Sequence, residues 1–185
     1  MTDSEPAPVS LSVLSSEVAR AFVERSRLFL LNDYLPKIEL CLNDLADEQI
    51  WWRPNDQTNS IGNLVLHVCG NIRQWIVSGV GNHKDERIRE AEFAQRDVIP
   101  KSGLLEHLRT TLSDVDKVLS NLDSGILLER RNIQGRDVSV LQAIFHVTEH
   151  FSMHTGQIIM LTKIVTARDL GFYDLSSGVP VDRWR

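Results

Sequence analysis

The chain has 185 residues, of which 42% are hydrophobic and 24% charged, and its formal net charge is −5. These values predict one globular domain with a continuous core and exclude a fibrous repeat or wholesale disorder. No run of Lys or Arg is longer than a pair, so no nucleic-acid partner is expected. The acidic, proline-containing first ten residues and the lack of an apolar run of about 20 residues predict a cytoplasmic protein with no membrane contact.

Four stretches with helical spacing follow in chain order. Apolar residues recur at steps of three and four over 15–45 and predict the first helix, which Pro36 should bend because proline has no backbone donor. The loop WWRPNDQTNS then leads to a second helix over 61–77, with Asn59 or Ser60 as its cap. The polar segment that follows could contain a short helical turn at 86–93.

The second half of the chain supplies the other two helices. The third helix is predicted over 102–122 and the fourth over 138–165. Between them, ERRNIQGRD could form a short extended excursion that ends in Asp137 as a helix cap. No segment alternates polar and apolar residues well enough to predict a paired strand.

This pattern predicts an all-α fold, an antiparallel four-helix bundle, because long amphipathic helices with modest connections bury their apolar faces in that way. The bundle domain is expected to span 15–170. A flexible N-terminal segment, 1–14, and an irregular C-terminal tail, 171–185, should flank it.

Three of the six histidines lie at four-residue intervals in HVTEHFSMHTGQ. On a helix, such positions advance by about 40° each and therefore share a face. His154 falls inside the apolar arc, His150 on its shoulder and His146 at its polar edge, so the inward pair is His150 and His154. An inward pair one turn apart can chelate one metal ion. His67, beside the apolar face of the second helix, could face the same ion, although a histidine in such a place is also commonly a hydrogen-bonded core residue.

Two other metal-binding motifs fit this stretch less well than the histidine pair. HVTEH matches the H-x-x-E-H pattern of a class of zinc peptidases, but those enzymes need a third ligand, and no glutamate follows Glu149. A di-iron carboxylate bundle needs two E-x-x-H motifs, and no histidine in this chain has a glutamate three positions before it. The spacing therefore favours a histidine site over either alternative.

NSIGNLVLH on the second helix and EHFSMHTGQI on the fourth resemble the DinB-like superfamily of four-helix metal-binding proteins, which includes the YfiT-like proteins. The resemblance covers about 18–165, and its strongest part is H-x-x-x-H followed by T-G-Q. It implies that a divalent metal ion, commonly zinc or nickel, is bound by one histidine of the second helix and two of the fourth: His67, His150 and His154. Candidates for supporting these ligands, or for ordinary packing and interhelical hydrogen bonds, are His146, Gln157 and Asn71.

The resemblance also implies a function. Three histidines leave a tetrahedral ion one further position, where the metal would lower the pKa of a water or thiol. Relatives include thiol-S-transferases and proposed hydrolases, so a metal-dependent transferase or hydrolase with a small-molecule thiol or electrophilic substrate is implied. The alternative is a metal-stabilised binding or stress-response bundle without turnover. The resemblance further implies a homodimer, and no catalytic residue beyond the ligands is indicated.

Overall fold

The computed structural model describes residues 10–184, in which long helices dominate and form a four-helix bundle. This confirms the predicted all-α bundle. The first long segment consists of α1 (Leu11–Leu28), a π-helical stretch (Phe29–Tyr34) and α2 (Leu35–Asn43). The second is α4 (Ile61–Ile72), which continues as a π-helical stretch, Arg73–Val80. The third is α6 (Lys101–Ser120), and the fourth is α7 (Val140–Thr166).

Shorter elements occupy the connections. Two helices of five and six residues are α3 (Asp47–Trp51) and α5 (Arg89–Ala94), and Ser124–Ile126 forms a 3₁₀ turn. The core lies where the apolar faces of the long helices meet, and it includes fully buried Leu30, Ile38, Ile72, Leu108, Ile144 and Phe151. Within residues 10–184, no helix combines the length and apolarity that crossing a membrane requires.

The first helix differs from its prediction at both ends and at its middle. It begins at Leu11, where the Ser10 side chain accepts a hydrogen bond from the backbone N–H of Val13, so 10–14 are not the flexible segment expected; residues 1–9 lie outside the described part. Before Pro36, the helix widens into its π-helical stretch, and the N–H of Leu35 bonds to the carbonyl of Leu30, five residues back. Proline removes a hydrogen bond of the ordinary helical ladder, and the π-helical turn before it pairs backbone groups five residues apart instead of four.

A β-hairpin precedes α7, so the expectation that no strands pair was wrong. Strands β1 (Arg130–Ile133) and β2 (Arg136–Ser139) pair antiparallel. Gln134 and Gly135 join them with φ of 53° and 72°, the left-handed values that tight hairpin turns require. Strands of four residues are too short for alternation to stand out in the sequence.

The cap of α7 is Ser139 rather than Asp137. The Ser139 hydroxyl accepts a hydrogen bond from the Gln142 N–H at 3.1 Å, and the Gln142 side chain accepts one from the Ser139 N–H at 2.8 Å. This reciprocal pair satisfies two N–H groups at the start of the helix. Asp137 instead accepts a hydrogen bond from Arg130 across the hairpin, which removes it from the helix end.

The C-terminal tail is more ordered than the irregular segment predicted. Strands β3 (Tyr173–Asp174) and β4 (Val181–Asp182) pair antiparallel, and the Trp184 side chain is almost fully buried. Its ring meets that of Phe172 edge to face at 6.2 Å, and the ammonium of Lys37 lies 3.9 Å from its centroid. The tail therefore packs against the bundle through the contact between Trp184 and Lys37 of α2.

Replacing Trp184 with alanine is expected to lower the free energy of unfolding by about 3 kcal/mol, because a large buried aromatic ring is lost without a replacement. Urea unfolding followed by circular dichroism measures the change. Trp52→Ala is the control, since its side chain is 42% exposed and should cost less than about 1 kcal/mol. Equal effects of the two substitutions would show that the tail does not stabilise the bundle.

The helix directions explain the long connection between α4 and α6. Arg73 bonds to Asp114 and, further along both helices, Gly81 lies against Val118, so α4 and α6 run in the same direction. The segment 81–100, here called the crossover, must therefore travel back along the bundle before α6 can begin. In contrast, α4 and α7 are antiparallel, because His67 lies beside His150 while Trp75, further along the second long segment, lies beside His146, earlier in α7.

Candidate metal centre

Three histidines from α4 and α7 converge at one place in the bundle. One ring nitrogen from each of His67, His150 and His154 lies within 4.8 Å of those of the other two. The Nε2 atoms of His67 and His150 are 3.0 Å apart, and the ring centroids of the three are separated by 4.4 to 5.0 Å. In the described part of the chain, no other group of three His, Cys, Asp or Glu side chains is arranged in this way.

Local sequence places each ring. Ser60 and Asn63 form a reciprocal cap that fixes the start of α4, and His67 follows on its buried face. On α7, His154 is buried and His150 half-buried, as their positions on the apolar arc predicted. Two consecutive turns of α7 therefore face the middle of α4.

His67 is held by a carboxylate from the crossover. Its Nδ1 lies 2.9 Å from Oε2 of Glu92, on α5, so the Nδ1–H donates and the lone pair of Nε2 faces the other two histidines. Arg87 binds both oxygens of Glu92, with Nε 2.7 Å from Oε1 and Nη2 2.9 Å from Oε2. This two-point ion pair fixes the carboxylate that orients the His67 ring.

The charge on Glu92 follows from competing effects. Burial alone raises the pKa of this carboxyl, but hydrogen bonds from Arg87 and His67 outweigh it and hold the pKa below its usual value. Glu92 is therefore ionised at neutral pH and acts as an acceptor. Its partner guanidinium is only 3% exposed, so the pair is shielded from solvent.

Sequence reasoning did not find Glu92 or Arg87, because both lie in a polar, turn-rich segment without helical periodicity. One signal was present in Gly70, three residues after His67 on the same helix. A Cβ at this position would clash with Oε1 of Glu92, which Arg87 holds in place, so glycine leaves the room that the crossover needs where it meets α4. A glycine in a helix interior beside a candidate ligand can indicate a close approach by another segment.

His154 has one satisfied and one unsatisfied nitrogen. Its Nδ1–H donates to Oε1 of Gln157 at 2.7 Å, which directs the lone pair of Nε2 inward. That Nε2 is buried and has no hydrogen-bond partner among the described residues. A buried polar atom without a partner is rare in folded proteins, and a metal ion bound to the three histidines would satisfy it.

The protonation of the cluster suits metal binding. Burial, reinforced by His154 and His67, lowers the pKa of His150 to about 3. Burial also lowers the pKa of His154, against a raising effect of Gln157. Both imidazoles are thus neutral at pH 7, which is the form that ligates metals, and three histidine ligands fit a divalent ion that keeps one further position.

The three predicted supporting residues have different surroundings. Gln157 hydrogen-bonds to His154, as described above. The His146 ring packs between Trp75, at 4.2 Å, and His150, at 5.3 Å, which is a packing role. Asn71 is buried on α4, but within residues 10–184 no hydrogen bond joins it to any of the three histidines.

A large cavity lies beside this centre rather than at it. It has a volume of about 1130 Å³ between α4, α6 and the crossover, and none of the three histidines lines it. Arg87 and Glu92 form part of its wall, so they separate the cavity from His67. On the centre's side of this wall, Phe93 packs on the His67 ring at 4.7 Å.

A helical bundle with three histidines gathered from its second and fourth long segments is the arrangement expected of a DinB-like protein. The crystal structure of a DinB-like protein from Bacillus cereus ATCC 10987 is similar, with a TM-score of 0.57 and 19% identity over 71% of this chain and 85% of that one. The crystal structure of a conserved protein from Enterococcus faecalis has a TM-score of 0.58 and 15% identity over 87% of this chain and 100% of that one. These likenesses show the fold.

Residues 17–178 match the family described as "Protein of unknown function (DUF1572)". The chain belongs to this family, which is DinB-like, and the predicted resemblance is thereby confirmed. A comparison with curated proteins gave no match.

Proposed function

We propose that the protein is a metal-dependent enzyme, a thiol-S-transferase or a hydrolase, in which His67, His150 and His154 hold zinc or nickel. One observation carries the proposal: the cluster contains three histidines and, within the described residues, no fourth His, Cys, Asp or Glu ligand. Structural zinc sites are usually closed by four protein ligands, whereas catalytic sites have three and keep a position for water or substrate.

The residues around the cluster support this proposal by fixing the ligands. A divalent ion in this place would supply Lewis acidity and lower the pKa of a water or thiol. Glu92 and Gln157 hold His67 and His154 in the tautomer whose Nε2 is free to ligate. Burial lowers the pKa of His150 and of His154, so these two imidazoles are neutral at pH 7 and lose no proton when they bind an ion.

The cysteines of the chain favour an external thiol. Cys41 and Cys69 are both fully buried, and burial raises the pKa of Cys41 to about 11 and that of Cys69 to about 12. Neither provides a thiolate at neutral pH. A thiol-transfer reaction would therefore use a small-molecule thiol as cosubstrate, with an electrophile as its acceptor.

The alternative, a metal-stabilised binding or stress-response bundle, is favoured by a different observation. His67 and His154 are only 5% and 8% exposed and lie on different helices, so an ion between them would order α4 against α7. In that case metal would raise stability without turnover. The two functions differ in whether a small molecule reacts at the centre.

An activity panel separates them. Protein purified without an affinity tag and loaded with zinc or nickel would be assayed for conjugation of small thiols to 1-chloro-2,4-dinitrobenzene and for hydrolysis of p-nitrophenyl acetate. We expect a metal-dependent rate that His150→Ala abolishes and that His107→Ala, an exposed substitution on α6, preserves. If metal-loaded and metal-free protein give equal rates in every assay while metal still raises the melting temperature, the non-catalytic alternative stands.

A further inference from the structure

The crossover is bonded to the second long segment but not to α6. Gln74 donates a hydrogen bond to the carboxylate of Asp85 at 2.6 Å and accepts one from Arg87 at 3.0 Å. Within residues 10–184, no hydrogen bond or ion pair joins 83–97 to α6. The cavity of about 1130 Å³ described above lies between the crossover and α6, so one of its walls is held from one side only.

Aliphatic side chains contribute to every wall of this cavity. Leu66 lines it from α4, Ile88 and Ile99 from the crossover, and Val118 from α6. Ile88 is 69% exposed, although it is a large apolar residue. Sites for small organic molecules have volumes of about 300 to 1,000 Å³ and are lined mainly by apolar side chains with a few polar groups. The size and the lining of this cavity therefore suit a small molecule with an aliphatic body, which would also cover Ile88.

Two cations at the cavity share one carboxylate. Nη1 of Arg73 lies 3.0 Å from Oδ2 of Asp114, and Nζ of Lys117 lies 3.0 Å from Oδ1 of the same residue. All three residues line the cavity, and the side chains of Arg73 and Lys117 are both accessible to solvent. This group carries one positive charge in excess, so it can pair with one further anionic group.

The other charged side chains of the lining have partners within the chain. Two ion pairs and two aspartates that accept hydrogen bonds from backbone N–H groups make up this set: Lys84–Glu86, Arg87–Glu92, Asp85 and Asp123. The lining as a whole has five acids and four Lys or Arg side chains. This balance disfavours a polyanion such as a nucleotide, and it leaves Arg73 and Lys117 as the place for a single anionic group.

We propose that this cavity is a second ligand site, which binds a small aliphatic carboxylate with its anionic group at Arg73 and Lys117 and its apolar body against the aliphatic walls. Arg87 and Glu92 separate the cavity from His67, so a ligand in this place does not occupy the further position of a metal ion at the three histidines. The proposal does not rest on the metal-dependent function proposed above.

Calorimetric titration of the metal-free full chain with decanoate, below its micellar concentration, tests this site. We expect one bound molecule and a dissociation constant below about 100 μM. Decyltrimethylammonium has the same chain length and a cationic group, so it should bind at least about tenfold more weakly beside Arg73 and Lys117. His150→Ala should bind decanoate as the wild type does, which makes the result independent of the metal centre.

A larger side chain in the cavity provides a second test. Ala91 is exposed on α5 and lines the cavity, so Ala91→Trp should raise the dissociation constant of decanoate by more than about tenfold. Ala94→Trp is the matched control, because Ala94 is exposed on the same helix and lies away from the cavity. It should stay within about twofold of the wild type.

Charge reversal addresses the anionic group. Lys117→Glu should raise the dissociation constant of decanoate by about tenfold and should not weaken the binding of decyltrimethylammonium. Arg20→Glu, on an exposed residue of α1, makes the same change in net charge and should leave both affinities as they are. Circular dichroism establishes that each variant folds.

Three results would each overturn the proposal. They are no saturable binding of decanoate below about 1 mM, equal affinities for the two head groups, and equal binding by Ala91→Trp and Ala94→Trp.

Discussion

Glu92→Ala should lower the free energy of unfolding of the metal-free protein by about 3 to 5 kcal/mol, because removing one partner of a buried ion pair leaves the other charge uncompensated. The Arg87 side chain is 3% exposed and would lose both of its bonds to the carboxylate. The Nδ1–H of His67 would also lose its acceptor. Urea unfolding measures this loss, and Glu90→Ala, an exposed glutamate on the same helix α5, should change stability by less than about 0.5 kcal/mol.

A double variant distinguishes the ion pair from general damage to the crossover. Arg87→Met with Glu92→Leu removes both charges and fills their space, so it should recover most of the stability lost in Glu92→Ala. Its affinity for zinc should nevertheless stay about 10- to 100-fold below that of the wild type, because His67 no longer has its orienting acceptor. If Glu92→Ala were as stable as Glu90→Ala, the ion pair would have no structural role.

Single alanine substitutions of His67, His150 and His154 should each lower the affinity for zinc or nickel by more than about 100-fold, since removing a ligand has a larger effect than removing its hydrogen-bond partner. Competition with a chromogenic chelator gives these affinities, and elemental analysis of untagged protein gives the metal content. His150→Ala is the most informative of the three, because this side chain is half-buried and its removal disturbs the core least.

His146→Ala provides the matched control, since its ring stacks on His150 from one turn away and carries no ligand atom of the cluster. Its affinity should stay within about tenfold of the wild type. Added metal should raise the unfolding free energy of the wild type by about 4 kcal/mol at a thousandfold excess over the dissociation constant, and that of His150→Ala far less. Equal metal content in the wild type and in His150→Ala would contradict a metal site at the three histidines.

The helices and the convergence of their histidines could be predicted from the sequence because both depend on local periodicity. A helix of fixed pitch decides which side chains share a face, so His150 and His154 were separated from His146 without knowledge of the fold. Whether His67 lies at the same height along the bundle as His150 and His154 could not be predicted from helical pitch, because it depends on how two helices align. The resemblance to DinB-like proteins supplied that part.

The hydrogen bond that orients His67 and the direction of α6 could not be predicted from the sequence, for one physical reason. Both depend on the crossover, whose sequence is polar and has no period that reports its path. Modest connections suggested neighbours that alternate in direction, yet a segment as long as 81–100 can return along the bundle and let α4 and α6 run parallel. In the sequence, Gly70, which leaves room for the Glu92 carboxylate, indicates where the crossover packs on α4.

The crossover also makes metal affinity depend on a segment outside the two histidine-bearing helices. It contributes Glu92 but no ligand, so the acceptor that orients His67 is supplied by a third part of the chain. A substitution that shifts α5 should therefore lower the affinity for metal even though all three ligands on α4 and α7 are kept.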